Sequence, residues 1–194
     1  MKNFRHRKKI SFLFLITFLS SFVYWVLTTT QNQNPIPNQS QIPNDSESQI
    51  IYGTARVIDG DTIEINHNRI RLIGIDAPES KQKCLDKNYF EYLCGEVSTA
   101  FLKKLIDDQT VECSSGGKDI YQRYLGNCKL GKININYEMV KNGMAIIYNL
   151  KDADDELKNL ESTAQNKKLG IWQGAFEEPK SYRKKNRHKQ YRKD

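Results

Sequence analysis

The chain has only three histidines among 194 residues, and none is well placed for chemistry. His6 and His188 lie in charged terminal stretches and His67 in a hairpin turn, so no histidine is a first-choice general base, and histidine-metal chemistry is disfavoured. Cysteine is sparse too, with four residues, no C-x-x-C pair and no histidine nearby, which argues against zinc. Four cysteines allow three pairings. Pairing Cys84 with Cys94 and Cys113 with Cys128 is favoured, because the first closes a loop and the second joins two neighbouring predicted strands. Four free thiols would be expected only in a reducing compartment. A basic surplus is also missing from the middle of the chain. The net charge of +7 comes from the ends: residues 1–9 carry +5 and residues 180–194 carry +7, whereas residues 51–179 carry −3. Binding to a polyanion therefore cannot be argued from isoelectric point; it needs placed residues. No internal repeat is evident.

What the sequence does have begins with its targeting segment. A basic region, residues 1–9, precedes an uncharged run of 18 residues, "ISFLFLITFLSSFVYWVL". That run falls between a signal-peptide core of about 7–15 residues and a membrane span of about 20. No Ala-x-Ala-like cleavage site follows, and Tyr24 and Trp25 suit an interfacial position. The segment 10–28 is expected to form a hydrophobic helix, as an uncleaved signal anchor in preference to a cleaved signal peptide. Either way, the remainder is exported, and stays membrane-anchored or is secreted or periplasmic. Residues 29–49, rich in Gln, Asn, Ser and Pro, are expected to be a flexible polar linker, since they cannot bury enough apolar surface to offset ordering.

From residue 50 the pattern turns to β-structure. "IIYGTARVI", "DTIEINH" and "RIRLIGI" (50–58, 61–67 and 69–75) are β-branched, alternate with period two and are separated by short turns, as in an antiparallel meander. A helical stripe covers 95–107, two strands follow at 109–115 and 123–130, a short helix spans 134–142, and a capped amphipathic helix spans 152–170. Five strands with a helix after the third suit a mostly β, α+β architecture: a five-stranded OB-fold Greek-key barrel with about three helices, over residues 50–175.

One stretch, "VIDGDTIEINHNRIRLIGIDAPES", gathers Asp59, Asp61, Asp76 and Glu79 with Arg69 and Arg71. Asp61 opens the second predicted strand and Asp76 follows the third, so a twisted meander can bring them together at one rim of the barrel. Two carboxylates with a backbone carbonyl and waters make a hard, oxygen-only site that suits Ca²⁺. Arg71 shares the parity of Ile73 and Ile75 and is expected to point inward, where a charge is costly unless paired. Arg69 has the same parity but lies at the turn and is expected to be solvated.

The combined motif Asp-Gly-Asp-Thr, Arg-Leu-x-Gly-Ile-Asp-x-Pro-Glu and Asp-x-Tyr-x-Arg resembles the staphylococcal (micrococcal) nuclease-like, or thermonuclease, family from about Gly53 to Trp172. The Gln-x-Cys…Cys-Gly spacing and the later cysteine pair are similar to exported bacterial members. The resemblance implies a Ca²⁺-dependent phosphodiesterase acting on DNA and RNA and leaving 3′-phosphate ends. It implies Asp61, Asp76 and the main-chain carbonyl of Ala77 as metal ligands, where the family often has Thr at the last position. Glu79 is implied to orient or deprotonate the attacking water, and Arg71 and Arg123 to stabilise charge on the phosphorane oxygens through guanidinium forks. Tyr121 matches a phosphate-contacting tyrosine, and Tyr148 is a candidate for stacking a base. The chain departs from the pattern at Gln122, where the family has Gly, and at Ile120, where it has a basic residue.

Residues 176–194 are expected to form a basic disordered tail that attracts polyanionic substrate or anionic lipid. No obligate protein partner is expected, and the protein should be monomeric. Two rivals remain: a catalytically inactive nuclease-like module that binds nucleic acid or protein at the cell envelope, and a membrane-tethered calcium-binding interaction protein. The first is disfavoured because Asp61, Arg71, Asp76, Glu79 and Arg123 are all present.

Overall fold

The computed structural model describes residues 48–190. The hydrophobic segment 10–28, nearly all of the linker 29–49 and the last four residues of the tail lie outside the described residues. Among the described residues no helix is long and apolar enough to cross a membrane.

Alternating apolar residues in β1 (Gln49–Asp59), β2 (Thr62–Ile65) and β3 (Asn68–Leu72) build an antiparallel meander. The first half of β1 also pairs with β7 (Thr110–Lys118), which pairs in turn with β8 (Tyr124–Leu130). β3 then runs parallel to β8, with Arg71 opposite Leu125, and closes a five-stranded barrel of OB type. β9 (Ile133–Asn134) extends the β8 edge. Inside the barrel Ile63, Ile65, Ile70, Leu72 and Val111 are fully buried, together with Leu102 and Met139 from the helices outside. Cys113 and Cys128 face each other across β7 and β8 and are disulfide-bonded, as expected.

The third predicted strand, 69–75, is broken in two, and the break reverses the expectation for Arg71. Ile70 and Leu72 face the core, Ile73 is exposed, and Gly74 has a left-handed φ of +81° that turns the chain away. Residues Ile75–Asp76 form a separate strand, β4, paired with β10 (Ile146–Ile147). Parity across that turn carries no meaning, so Arg71 lies on the outer face of the barrel rather than inside it.

α1 (Cys94–Ile106) packs its buried Ser98, Leu102 and Ile106 on the barrel. It follows an unpredicted hairpin, β5 (Lys83–Leu85) and β6 (Glu91–Leu93), joined by the expected Cys84–Cys94 disulfide. A second small core of Cys84, Cys94, Ile171, Trp172 and Phe176 surrounds that bond. α2 (Ile135–Lys141) is capped by Asn134, whose side chain accepts from the Tyr137 N–H. Buried Asn136 within α2 accepts from Cys128 N–H at 3.0 Å and donates to the carbonyls of Ile73 (2.8 Å) and Gly126 (3.1 Å), so it ties β8 to the turn after β3. α3 (Asp155–Asn166) is shorter than the predicted 152–170. Asp154 caps its start by accepting from Leu157 N–H, and the positive φ of Lys168 and Gly170 belongs to the turn beyond its end.

The largest departure is at the C-terminus. Residues expected to be disordered form a fourth helix, α4 (Pro179–Gln190), which begins at a buried proline, a residue suited to the first turn. The expectation rested on the density of basic residues in this stretch. Order comes instead from ion pairs, Lys185 with Glu177 at 3.3 Å and Arg183 with two carboxylates.

Candidate active site

The Asp-Gly-Asp turn between β1 and β2 positions the first acid. Asp59 Oδ1 accepts from Asp61 N–H at 3.1 Å, and the register shifts there as in a bulge. Only glycine fits at position 60: a Cβ would lie 2.2 Å from Ser98 Oγ and 2.7 Å from the Ala77 Cβ. Asp61 is therefore held at the junction of the barrel and α1, 4% exposed. Asp76 is brought beside it by the Gly74 turn and the β4–β10 pairing and is 1% exposed.

Arg71 joins the two acids. Its Nη1 donates to Asp61 Oδ1 at 2.7 Å and its Nη2 to Asp76 Oδ1 at 2.8 Å. Ala77 N–H donates to Asp61 Oδ2 at 3.0 Å and the Thr62 hydroxyl to Oδ1 at 3.1 Å. Burial pushes the Asp61 carboxyl up to about 7, against the lowering influence of Arg71. Burial disfavours charge on Arg71 itself, but the two carboxylates outweigh it and its pKa is raised.

Glu79 stands at the rim, after Pro78, and its side chain is 40% exposed. Its backbone is fixed from three sides. Glu79 N–H donates to the buried Gln82 Oε1 at 3.2 Å, and Gln82 N–H donates to Glu79 O at 2.7 Å. Gln82 Nε2 donates to Glu177 O at 2.6 Å, so one side chain ties the Glu79 loop to the approach to α4. Gly95 lies directly against this loop: a Cβ there would be 1.8 Å from Glu79 O.

Arg123 is not part of the acid cluster. It lines the same cleft, of about 1360 Å³, as Asp61, Arg71, Ala77 and Glu79. Its guanidinium is held by Asp119, with Nε at 2.9 Å and Nη2 at 2.7 Å from Oδ2. Burial raises the Asp119 pKa, but hydrogen bonds from the Arg123 and Tyr121 N–H groups and the Arg123 guanidinium more than offset this, so the net shift is downward. The same contacts account for Gln122. It adopts φ +63°, a conformation suited to glycine, in a turn fixed by Asp119 Oδ1 accepting from Tyr121 N–H (2.9 Å) and Arg123 N–H (3.0 Å). Tyr121 and Tyr148 are exposed on the cleft wall, with the Arg123 guanidinium over the first ring and the Lys180 ammonium over the second, each 5.6 Å from the ring centre. Ile120 is also exposed there. A smaller recess, about 320 Å³ beside Gln49, Ile50, Tyr52 and Asn66, offers no titratable group suited to catalysis.

Arg183 was not singled out by the sequence reading. Its Nη1 donates to Asp76 Oδ1 at 2.8 Å and Glu79 Oε1 at 2.9 Å, and its Nη2 to Asp76 Oδ2 at 3.0 Å. Burial works against its charge, but Asp76 and Glu79 more than compensate and its pKa is raised. The available signal was spacing: Lys180, Arg183 and Arg187 fall on one helical face, and all three line the cleft. Gln82 and Gly95 were noticed only as parts of cysteine spacings.

The donor set of Asp61, Asp76 and a main-chain carbonyl at Ala77 fits a hard divalent cation in chemistry and charge. Among the described residues, no three His, Cys, Asp or Glu side chains are gathered as a ready-made metal cluster. The acids are turned toward Arg71 and Arg183 instead.

Residues 69–174 match the family described as staphylococcal nuclease homologue. An uncharacterized endonuclease of Escherichia coli O157:H7 is 37% identical over 131 residues, covering 64% of this chain and 79% of that protein. The thermonuclease of Staphylococcus intermedius is 33% identical over 131 residues, covering 63% of this chain and 76% of that protein. The succinoglycan biosynthesis protein ExoI of Rhizobium meliloti is 36% identical over 128 residues, 63% of this chain, and the match spans 64% of that relative's length. A match over more than half of the chain, on a closed barrel that carries the motif's acids and arginines around one cleft, places the sequence: it belongs to the staphylococcal nuclease homologue family, and its folded body is a nuclease domain of that type.

Proposed function

We propose that the protein is a Ca²⁺-dependent endonuclease that hydrolyses DNA and RNA and leaves 3′-phosphate ends, with its domain outside the cytoplasm and residues 10–28 holding it at the membrane. The observation that carries this reading is the meeting of Asp61 and Asp76 on Arg71, beside a cleft lined by Asp61, Arg71, Glu79 and Arg123.

Asp61, Asp76 and the carbonyl of Ala77 would hold the cation, which when bound supplies Lewis-acid polarisation of the phosphate. The chain's own groups do the rest. Glu79, at the solvent rim of the cleft, takes a proton from the attacking water as general base. Arg71, on β3, and Arg123, in the turn just before the neighbouring strand β8, donate to the phosphate oxygens, where negative charge grows in the transition state. Departure of the 5′-oxygen leaves the phosphate on the 3′ side, an assignment that rests on the family resemblance. Tyr121 and Tyr148 offer exposed rings for the substrate at the cleft wall.

The test is digestion of single-stranded DNA and of RNA by the full chain in mild detergent, at alkaline pH, with millimolar Ca²⁺ or with chelator. Cleavage should require Ca²⁺. Glu79→Gln and Arg123→Ala should each lower turnover by about 10²–10⁴-fold while leaving the circular dichroism spectrum unchanged. Substrate left intact in Ca²⁺, or cleaved equally in chelator, would refute the assignment.

A further inference from the structure

Arg183 has no part in the chemistry above, yet it makes more ion-pair contacts with the acids than any substrate-facing role requires. Both Asp76 oxygens accept from it, and Asp76 Oδ1 accepts from Arg71 as well, which fills the lone-pair directions on the inner side of that carboxylate. The same guanidinium holds Glu79 Oε1, one of the two oxygens through which that carboxylate would accept a proton. Three carboxylates, Asp61, Asp76 and Glu79, therefore face two guanidiniums, those of Arg71 and Arg183.

We propose that α4 is a latch in which Arg183 stands in for the divalent cation and is exchanged for it. This inference rests on the metal-dependent reading of the site. Coordination supports exchange over joint occupancy: with both Asp76 oxygens and Glu79 Oε1 accepting from Arg183, the oxygen positions a cation would need are already taken. The attachment of α4 also supports it. Over residues 179–187, whose side chains are described, none belongs to either hydrophobic cluster, and past the buried Pro179 the described contacts to the barrel are polar. These are the Arg183 pairs, a 3.3 Å hydrogen bond from the Tyr182 hydroxyl to Lys81 O, and Lys180 over the Tyr148 ring. A cation that takes Asp76 removes the strongest of them. It also frees Glu79 for proton transfer and opens the cleft on the side where Lys180, Arg183 and Arg187 line it. The latch thus couples loading of the metal to uncovering of the base.

Ca²⁺ titration calorimetry and amide hydrogen exchange on the full chain in detergent test this, with wild type, Arg183→Ala and Lys184→Ala. Lys184 is exposed on the same helix and controls for the loss of one positive charge. Arg183→Ala should bind Ca²⁺ at least about tenfold more tightly, because a closed latch lowers the competent fraction of the wild type. Lys184→Ala should stay within about twofold of wild type. Saturating Ca²⁺ should speed exchange across 179–190 in the wild type, since a released helix of this length is marginal in water. In Arg183→Ala, exchange there should be fast with or without Ca²⁺. Equal Ca²⁺ affinity in wild type and Arg183→Ala, an equal gain in Lys184→Ala, or unchanged exchange in 179–190 on Ca²⁺ binding would each overturn the latch while leaving the metal-dependent nuclease intact. Absence of Ca²⁺ binding in both wild type and Arg183→Ala would overturn the metal reading itself, and the latch with it.

Discussion

Replacing Arg71 with Met separates the structural from the chemical use of that residue. Met keeps most of the aliphatic stem and removes the guanidinium that lies 2.7 Å from Asp61 and 2.8 Å from Asp76. Asp61 and Asp76 are almost fully buried, and Arg71 is 16% exposed at its side chain. Breaking a buried pair by removing one partner costs about 3–5 kcal/mol, and residual exposure with partial protonation of Asp61 points to the lower end, about 3 kcal/mol. For a domain of this size that is a fall in Tm of about 6–12 °C in chelator at pH 8. Because the destabilisation is one of unpaired negative charge, Ca²⁺ should raise the Tm of Arg71→Met more than that of wild type, through binding to the native state only. Differential scanning calorimetry in chelator and in millimolar Ca²⁺ reads both effects. A deficit below about 2 °C in chelator would show that Arg71 does not hold the acids together. A deficit unchanged by Ca²⁺ would show that the acids do not receive the cation.

Two further perturbations probe the frame around the site. Gly95→Ala places a methyl group 1.8 Å from Glu79 O, and backbone on both sides must yield; a loss of about 3 kcal/mol and a displaced Glu79 are expected, read as lowered Tm together with lowered turnover, and a variant with wild-type values of both would refute the contact. Tyr137 donates its hydroxyl proton to Asp154, and that hydrogen bond, aided by burial, pushes its pKa up to about 12. A raised folded-state pKa contributes stability that is complete below the unfolded value of about 10 and is lost as pH rises through the folded one. The stability difference between wild type and Tyr137→Phe in urea should therefore be constant up to about pH 10 and shrink toward pH 12; a difference independent of pH would refute the pairing.

Most of the barrel could be read from the sequence because its strands alternate apolar residues between short turns, and both disulfides followed from local closure. The acids could be read because Asp61, Asp76 and Glu79 sit beside turn residues, glycine and proline, whose backbone demands are recognisable. Parity failed at Arg71 because Gly74 interrupts the strand, and alternation has meaning only within an unbroken one. The β5–β6 hairpin was missed because its strands are three residues each and carry little period. α4 was missed for a different reason. Burial patterns cannot reveal a helix held by charges whose partners lie about a hundred positions away, and Arg183 differs from its basic neighbours only in where α4 presents it. Arg123 was assigned through the motif alone, and Asp119, which fixes both its side chain and the strained turn before it, was legible only as a motif letter.

The parallel pairing of β3 with β8 has a consequence for how the protein is made. By the time Glu79 has been synthesised, every carboxylate of the cluster and Arg71 are already present, but the strand that closes the barrel begins with Tyr124, forty-five positions later. A chain that emerges from its amino end, or one cut short before β8, has the ingredients of a hydrolytic centre and no enclosure in which to align them. A nuclease domain of this kind therefore cannot enclose its hydrolytic centre until β8 has been made.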